Sequence, residues 1–203
     1  MEGRARRQDR RHRRMGGRDM SDPAQSEAAK EEMVMDDFVS LTYTEHLTPN
    51  LQRFADNLMN GKLVGHKSPS GNVYLPGKGY DPLTLEITTE DDEIEVSDTG
   101  TLTGYTIVTP VRYYGQQETE PFVVASVLLD GCSNAIGSQD ILNIPHDQLR
   151  AGLRVKAIWR PADQRNVDGI TNRGWGGFDG VIDGFEPTGE PDAPLEKIRE
   201  HMF

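Results

Sequence analysis

Phe122-Val123-Val124-Ala125-Ser126-Val127-Leu128-Leu129, set between Pro121 and Gly131, is a nearly continuous apolar run. It is too short for a typical buried helix and therefore reads as a buried β-strand. Upstream, residues 101–108 are rich in Thr, Tyr, Ile and Val, the residue types that suit a pleated, half-buried surface. Downstream, residues 154–159 alternate, with Val155, Ala157 and Trp159 on one face and Arg154, Lys156 and the more ambiguous Ile158 on the other. Short strands punctuated by Gly, Pro, Asn and Asp, with few helices and no βαβ alternation, predict a mainly β domain. A small closed barrel fits better than a doubly wound sheet.

Working outward, 203 residues with 35% apolar content suffice for one fair core and a smaller appendage. Residues 1–20 hold eight Arg against three acids in a chain of formal net charge −11, so the remainder is strongly acidic. An acidic surface repels phosphate backbones, which argues against general nucleic-acid binding. The Arg pairs of the opening stretch lack the apolar segment of an export signal, and Met20 is an alternative start. That stretch is expected to be a disordered extension. No apolar run approaches the roughly 18 residues that span a bilayer, so a soluble protein is expected. Cys132 is the only cysteine, which rules out an intrachain disulfide and fits a reducing cytoplasm.

Residues 26–35 have helix-forming composition but a thin apolar face, so a frayed helix or disordered arm is expected. Thr48 is a natural N-cap, Pro49 suits the first helical position, and Leu51, Phe54, Ala55 and Leu58 form one stripe before Gly61. The stripe either covers the domain's own core or docks on a partner. Residues 61–84 are rich in Gly, Pro, Ser and Lys around Val73-Tyr74-Leu75, a pattern of two tight turns about a short hairpin. Residues 85–96 predict a strand pair with an acidic tip, Glu90-Asp91-Asp92-Glu93, which lacks the loop pattern of a calcium site. Residues 144–153 suit a short helical turn, and residues 168–180 a Gly-rich loop presenting Trp175. After a Pro-rich linker, Leu195, Ile198 and Met202 fall on one side of a short terminal helix.

Chemistry is sparse. His12, His46, His66, His146 and His201 stand alone, with no oriented partner readable from spacing. Cys132 and His146 make at best an arbitrary thiol and base pair, and Asp130-Gly131-Cys132-Ser133-Asn134 reads equally as a turn. Gly174-Trp175-Gly176-Gly177 lacks both the dinucleotide pattern and a following helix.

The order of elements carries a resemblance. A Thr48-Pro49-Asn50-Leu51 helix, Gly61-Lys62-Leu63, a Pro-Gly double turn and the 100–108 strand are followed by Pro121 to Ala125, Leu128 to Gly131 and Gly152 to Val155. This series resembles the acyl-CoA-associated OB-fold family that usually carries a rubredoxin-like zinc ribbon, over roughly residues 48–187. The family's four ribbon cysteines fall here on Ser68, Gly71, Asp81 and Thr84, so the resemblance implies a ribbon frame without its ligands. Asp81 and His66 alone do not make a closed four-ligand site, and zinc is not expected. Packing of Val73, Tyr74 and Tyr80 is expected to hold the remnant.

The resemblance divides the chain into a disordered extension (1–25), a helical arm with degenerate ribbon (26–84), an OB-fold barrel (85–187) and a linker with a short C-terminal helix (188–203). It implies a non-catalytic accessory subunit of a thiolase-like enzyme of the sterol-carrier-protein type. Such a subunit helps form the acyl-CoA site of a heteromeric aldolase (lyase) or thiolase, including retro-aldolases of steroid degradation and lipid metabolism. No catalytic residue, bound cofactor or metal is expected in the chain itself, and the CoA thioester is the substrate of the complex. The implied partner interface uses Leu51, Phe54, Leu58, Leu63, Tyr74, Tyr80 and Trp175. Arg112, Arg154, Lys156 and Arg160 are local cations for CoA phosphate, with surface salt bridges as the plainer reading. Two rival functions remain: a single-strand nucleic-acid binder stacking bases on Tyr105, Tyr113, Tyr114 and Phe122, and a stand-alone acyl-CoA-binding or hydrolysing protein using Cys132, His146 or Asp130.

Overall fold

The first helix or strand among the described residues is helix α1, Pro49–Met59. The computed structural model describes residues 39, 41, 46–109, 119–167 and 178–201. The Thr48 side chain accepts from the Leu51 N–H at 3.3 Å, and Pro49 occupies a position whose missing N–H would have had no helical partner. Phe54, Ala55 and Leu58 are buried, and the Phe54 ring lies 6.3 Å from that of Phe178. The helix stripe therefore covers the protein's own core. The helix end is fixed by Arg165, whose guanidinium donates to the Met59 and Arg160 carbonyls and lies over the Trp159 ring.

A three-stranded antiparallel sheet follows, ordered β2-β1-β3, from β1 (Leu63–Lys67), β2 (Val73–Tyr74) and β3 (Glu93–Val96). This sheet occupies the place of the expected ribbon, and it departs from the strand pair expected over residues 85–96. Leu85 adopts a left-handed backbone, φ 63°, which interrupts the extended run. The acids form a 3-10 turn, Glu90–Asp92, in which the Asp92 carboxylate accepts from the Thr89 N–H at 2.7 Å. Only Glu93–Val96 remains as strand, and its neighbour is β1.

The second sheet is five-stranded and antiparallel, in the order β6-β5-β4-β7-β8, with β4 Thr99–Val108, β5 Phe122–Leu129, β6 Ile136–Asp140, β7 Arg154–Trp159 and β8 Ile182–Pro187. Register breaks near Thr103, Ser126 and Ile158 add the local bends that curl a sheet. The two edges meet at a single parallel bridge, Ile141 to Phe185, with the Leu142 N–H donating to the Phe185 carbonyl at 2.8 Å. The sheet is thus a curled OB-fold rather than a barrel sealed by a full strand ladder. Gly184 sits where the edges close, and a Cβ there would lie 2.8 Å from the Asp140 carbonyl oxygen.

The core joins Val123, Ala125, Val127 and Leu129 of β5, Val155 and Ala157 of β7, Ile182 and Phe185 of β8, and Phe54, Leu58 and Leu63 from the helix and ribbon. A short 3-10 turn, His146–Gln148, precedes β7, and a one-turn helix α2, Leu195–Ile198, buries Ile198 while leaving Leu195 exposed. Ribbon and OB-fold sheet belong to one compact unit, Leu41–Phe203, and the passage between them lies at Val96–Thr99. Among the described residues no helix is long and apolar enough to cross a membrane. The expected helix over 26–35, the Trp175 loop, Tyr113, Tyr114, Arg112 and Met202 lie outside the described residues.

Candidate docking surface and the ribbon beside it

A hairpin between residues 79 and 88 forms the outer turn of the ribbon. Tyr80 bridges Ile87, Asp81 N–H donates to the Glu86 carbonyl at 2.8 Å and Thr88 N–H to the Gly79 carbonyl at 3.0 Å. Leu83, Leu85 and Ile87 on this hairpin are 73%, 72% and 74% exposed. Single exposed aliphatics are ordinary, but three within five residues on one turn form an apolar projection that water solvates poorly. Tyr80 and Ile94 are also exposed, and Glu86, Glu90 and Asp91 stand in the same segment.

Between this hairpin and the OB-fold lies a cleft of about 540 Å3, lined among others by Leu51, Pro76, Lys78, Tyr80 and Ile136. Its floor is held by the loop after β5. The Asn134 side-chain amide binds the Leu75 backbone twice, accepting from its N–H and donating to its carbonyl, both at 2.9 Å. Ser133 does the same for Val73, its hydroxyl accepting from the Val73 N–H at 3.0 Å and its own N–H donating to the Val73 carbonyl at 2.7 Å. The stretch 130–134 is a turn, as one of its two sequence readings had it, and it fastens the ribbon to the OB-fold.

Behind the cleft, His66 is buried, with Nδ1 3.1 Å from the Thr88 hydroxyl and Nε2 3.5 Å from the Glu93 carboxylate, which also takes the Arg53 guanidinium at 2.5 Å. Gly77 packs on this ring: a Cβ there would lie 2.4 Å from two of its carbons. Because the ring is buried and held at Nδ1 by the Thr88 hydroxyl it has little room to swing aside, so Gly77→Ala is expected to destabilise the fold by about 1–3 kcal/mol, as overpacked interiors do. Urea unfolding of the variant against the parent measures it, and an unchanged midpoint would contradict this packing.

The seven interface residues expected from sequence separate into groups. Phe54, Leu58 and Leu63 are buried in the chain's own core and have no surface to offer, because the helix and β1 cover the OB-fold. Leu51 and Tyr80 meet at the cleft, Tyr74 is half-buried on β2, and Trp175 lies outside the described residues. Leu83, Leu85 and Ile87, the exposed aliphatics of the hairpin, were not among the seven. The signal was present as three apolar residues in a segment read as strand, where their exposure depends on the left-handed turn at Leu85.

Several other candidate groups named from the sequence are engaged or subdued. Cys132 is half-buried, and its thiol is pushed up to about 11, first by burial and then by the Asp130 charge, so it is protonated and a poor nucleophile at neutral pH. Asp130 is held below the usual carboxylate range, chiefly by hydrogen bonding from Arg154, which also donates to Thr101 and pairs with Glu190. Arg160 pairs with Asp183 at 2.5 Å. His146 is exposed on its 3-10 turn, and the Tyr105 hydroxyl donates to the Leu149 carbonyl at 2.9 Å.

The four ribbon positions do not suit zinc. Gly71 has no donor, the Thr84 hydroxyl donates to Glu86 at 2.9 Å, and the Ser68 hydroxyl is used by Ser70 and the Asn72 carbonyl. Asp81 is the only ionisable group of the four, and both its oxygens accept backbone N–H bonds. Among the described residues no group of three or more His, Cys, Asp or Glu side chains is placed to hold a metal ion.

Residues 93–160, from β3 to the end of β7, match the family model described as the ChsH2 C-terminal OB-fold domain. This region is an OB-fold domain similar to that of ChsH2. Among solved structures, the chain is similar to one titled Ltp2-ChsH2(DUF35) aldolase, with 16% identity and a TM-score of 0.48, covering 71% of this chain and 98% of that one. It is also similar to a DUF35-family protein of unknown function from Sulfolobus solfataricus, with 19% identity and a TM-score of 0.43, covering 54% of this chain and 77% of that one. No curated protein matches the chain.

Proposed function

We propose that this protein is a non-catalytic accessory subunit that docks on a thiolase-like enzyme and helps enclose that enzyme's acyl-CoA site. The observation that carries the reading is the hairpin bearing Leu83, Leu85 and Ile87, set in the ribbon of a chain with a ChsH2-type OB-fold. Three aliphatics held in water by a fixed turn are stabilised when a partner covers them. The cleft beside the hairpin, with Leu51, Pro76 and Tyr80 on its wall, extends the same surface toward the OB-fold.

The chemistry belongs to the partner in this reading. A wall of this kind excludes water and orients a bound acyl or pantetheine arm without supplying a reacting group. Arg154 and Arg160 are already engaged by Asp130, Glu190 and Asp183, so the contacts to CoA phosphates fall to the partner. The reaction class we infer for the complex is retro-aldol cleavage of a bulky acyl-CoA side chain, of the steroid type, in a reducing cytoplasm.

Co-expression with a thiolase-like protein of the same organism, followed by size-exclusion chromatography and an assay of CoA-thioester cleavage, tests this. Co-elution is expected, with activity that requires both chains. Separate elution, or full activity of the partner without this chain, overturns it.

A further inference from the structure

The ribbon contains a carboxylate where a protein interior tolerates one only with donors in place: Asp81 is fully buried. Its two oxygens serve different turns. Oδ1 accepts the Leu83 N–H at 2.8 Å, within the second turn, and Oδ2 accepts the Ser70 N–H at 3.3 Å, from the first turn eleven residues earlier. The first turn is itself closed by Gly71 N–H to the Ser68 carbonyl at 2.8 Å and by the Ser68 hydroxyl, which bonds Ser70 at 2.9 Å and the Asn72 carbonyl at 3.1 Å. The second is closed by Leu85 N–H to the Asp81 carbonyl at 2.8 Å. Each turn is thus satisfied within itself, and the Asp81 side chain runs between them.

We propose that the Asp81 carboxylate is the structural crosslink of the ribbon, joining its two turns in the manner of a bound metal and making the ribbon's fold independent of any metal ion. In zinc ribbons two turns, each too small to build a core, are tied together by thiolates sharing one cation. Here the sign of the charges is inverted: one anion gathers N–H dipoles from both turns. Charge-assisted bonds of this kind are stronger than neutral ones and lose most when the acceptor is neutralised. The carboxyl is held down at about 2, first by the Ser70 hydroxyl and then by the backbone N–H groups of Leu83 and Ser70, against the upward push of burial. It is therefore ionised throughout the physiological range. The crosslink also aims the hairpin, because Asp81 is followed directly by Pro82 and Leu83 at its tip.

Amide hydrogen exchange on the full chain tests this. In the parent, protection of the Ser70 and Leu83 amides is expected to be unchanged by EDTA, with no stoichiometric zinc in elemental analysis. Asp81→Asn keeps the volume but turns an acceptor into a donor, and is expected to lower protection of those two amides about tenfold or more while the Leu102 amide of the OB-fold keeps its protection. If Asp81→Asn fails to fold, Ser70→Ala decides: it spares the backbone N–H, removes one hydroxyl, and is expected to reduce Leu83 protection severalfold. Unchanged protection in both variants overturns the proposal, as does a stoichiometric metal whose removal exposes the two amides.

Discussion

Phe185→Ala is expected to lower the unfolding free energy by about 3–5 kcal/mol, the usual cost of truncating a buried phenylalanine. Phe185 is fully buried, pairs across the sheet with Ala157, and supplies the single bridge to Ile141 at which the sheet edges meet. A domain of this kind has only about 5–15 kcal/mol in hand, so the loss removes a large part of it. Denaturant unfolding, read by tryptophan fluorescence because Trp159 lies on the neighbouring β7, measures the shift. A loss under 1 kcal/mol would mean that the edge closure carries little of the stability.

Replacing Leu85 and Ile87 together by Asp is expected to weaken binding to the proposed thiolase-like partner by a hundredfold or more while leaving the melting temperature of the free chain within a degree or two. Both side chains are more than 70% exposed, and Asp suits the left-handed backbone at Leu85 better than Leu does, so the change in stability is expected to stay within about 0.5 kcal/mol. In a buried interface the same two carboxylates would be desolvated without partners, which costs several kcal/mol. Isothermal titration or biolayer interferometry with the partner reads the loss. Wild-type affinity in the double variant would remove the hairpin from the interface and, with it, the observation on which the docking reading stands.

Much of the fold was legible because local signals and tertiary demands agree. The 122–129 run is buried along most of its length, Val155 and Ala157 face the core as their alternation implied, and Thr48 and Pro49 start the helix where capping chemistry places them. The candidate surface was less legible because it depends on contacts across the chain. Helix periodicity cannot say which body a stripe covers, and Phe54 and Leu58 proved to cover their own OB-fold. The clamp at Asn134 joins residues 59 positions apart, a distance at which spacing carries no information. Asp81 left half a trace: an Asp followed two residues later by an N–H it can accept is a common turn device, but its second donor, Ser70, is set by tertiary structure.

The bonds that Ser133 and Asn134 make to Val73 and Leu75, together with the pairing of β3 on β1, bear on where this protein can be cut. A fragment trimmed to residue 93, where the family match begins, would keep Glu93–Val96 as a strand with no neighbour and leave the Ser133 hydroxyl and the Asn134 amide facing water. It would also strip Phe54, Leu58 and Leu63 from the OB-fold core. The part recognisable as a domain by sequence is therefore smaller than the part able to stand alone. The ribbon is less an attachment to the OB-fold than its missing wall.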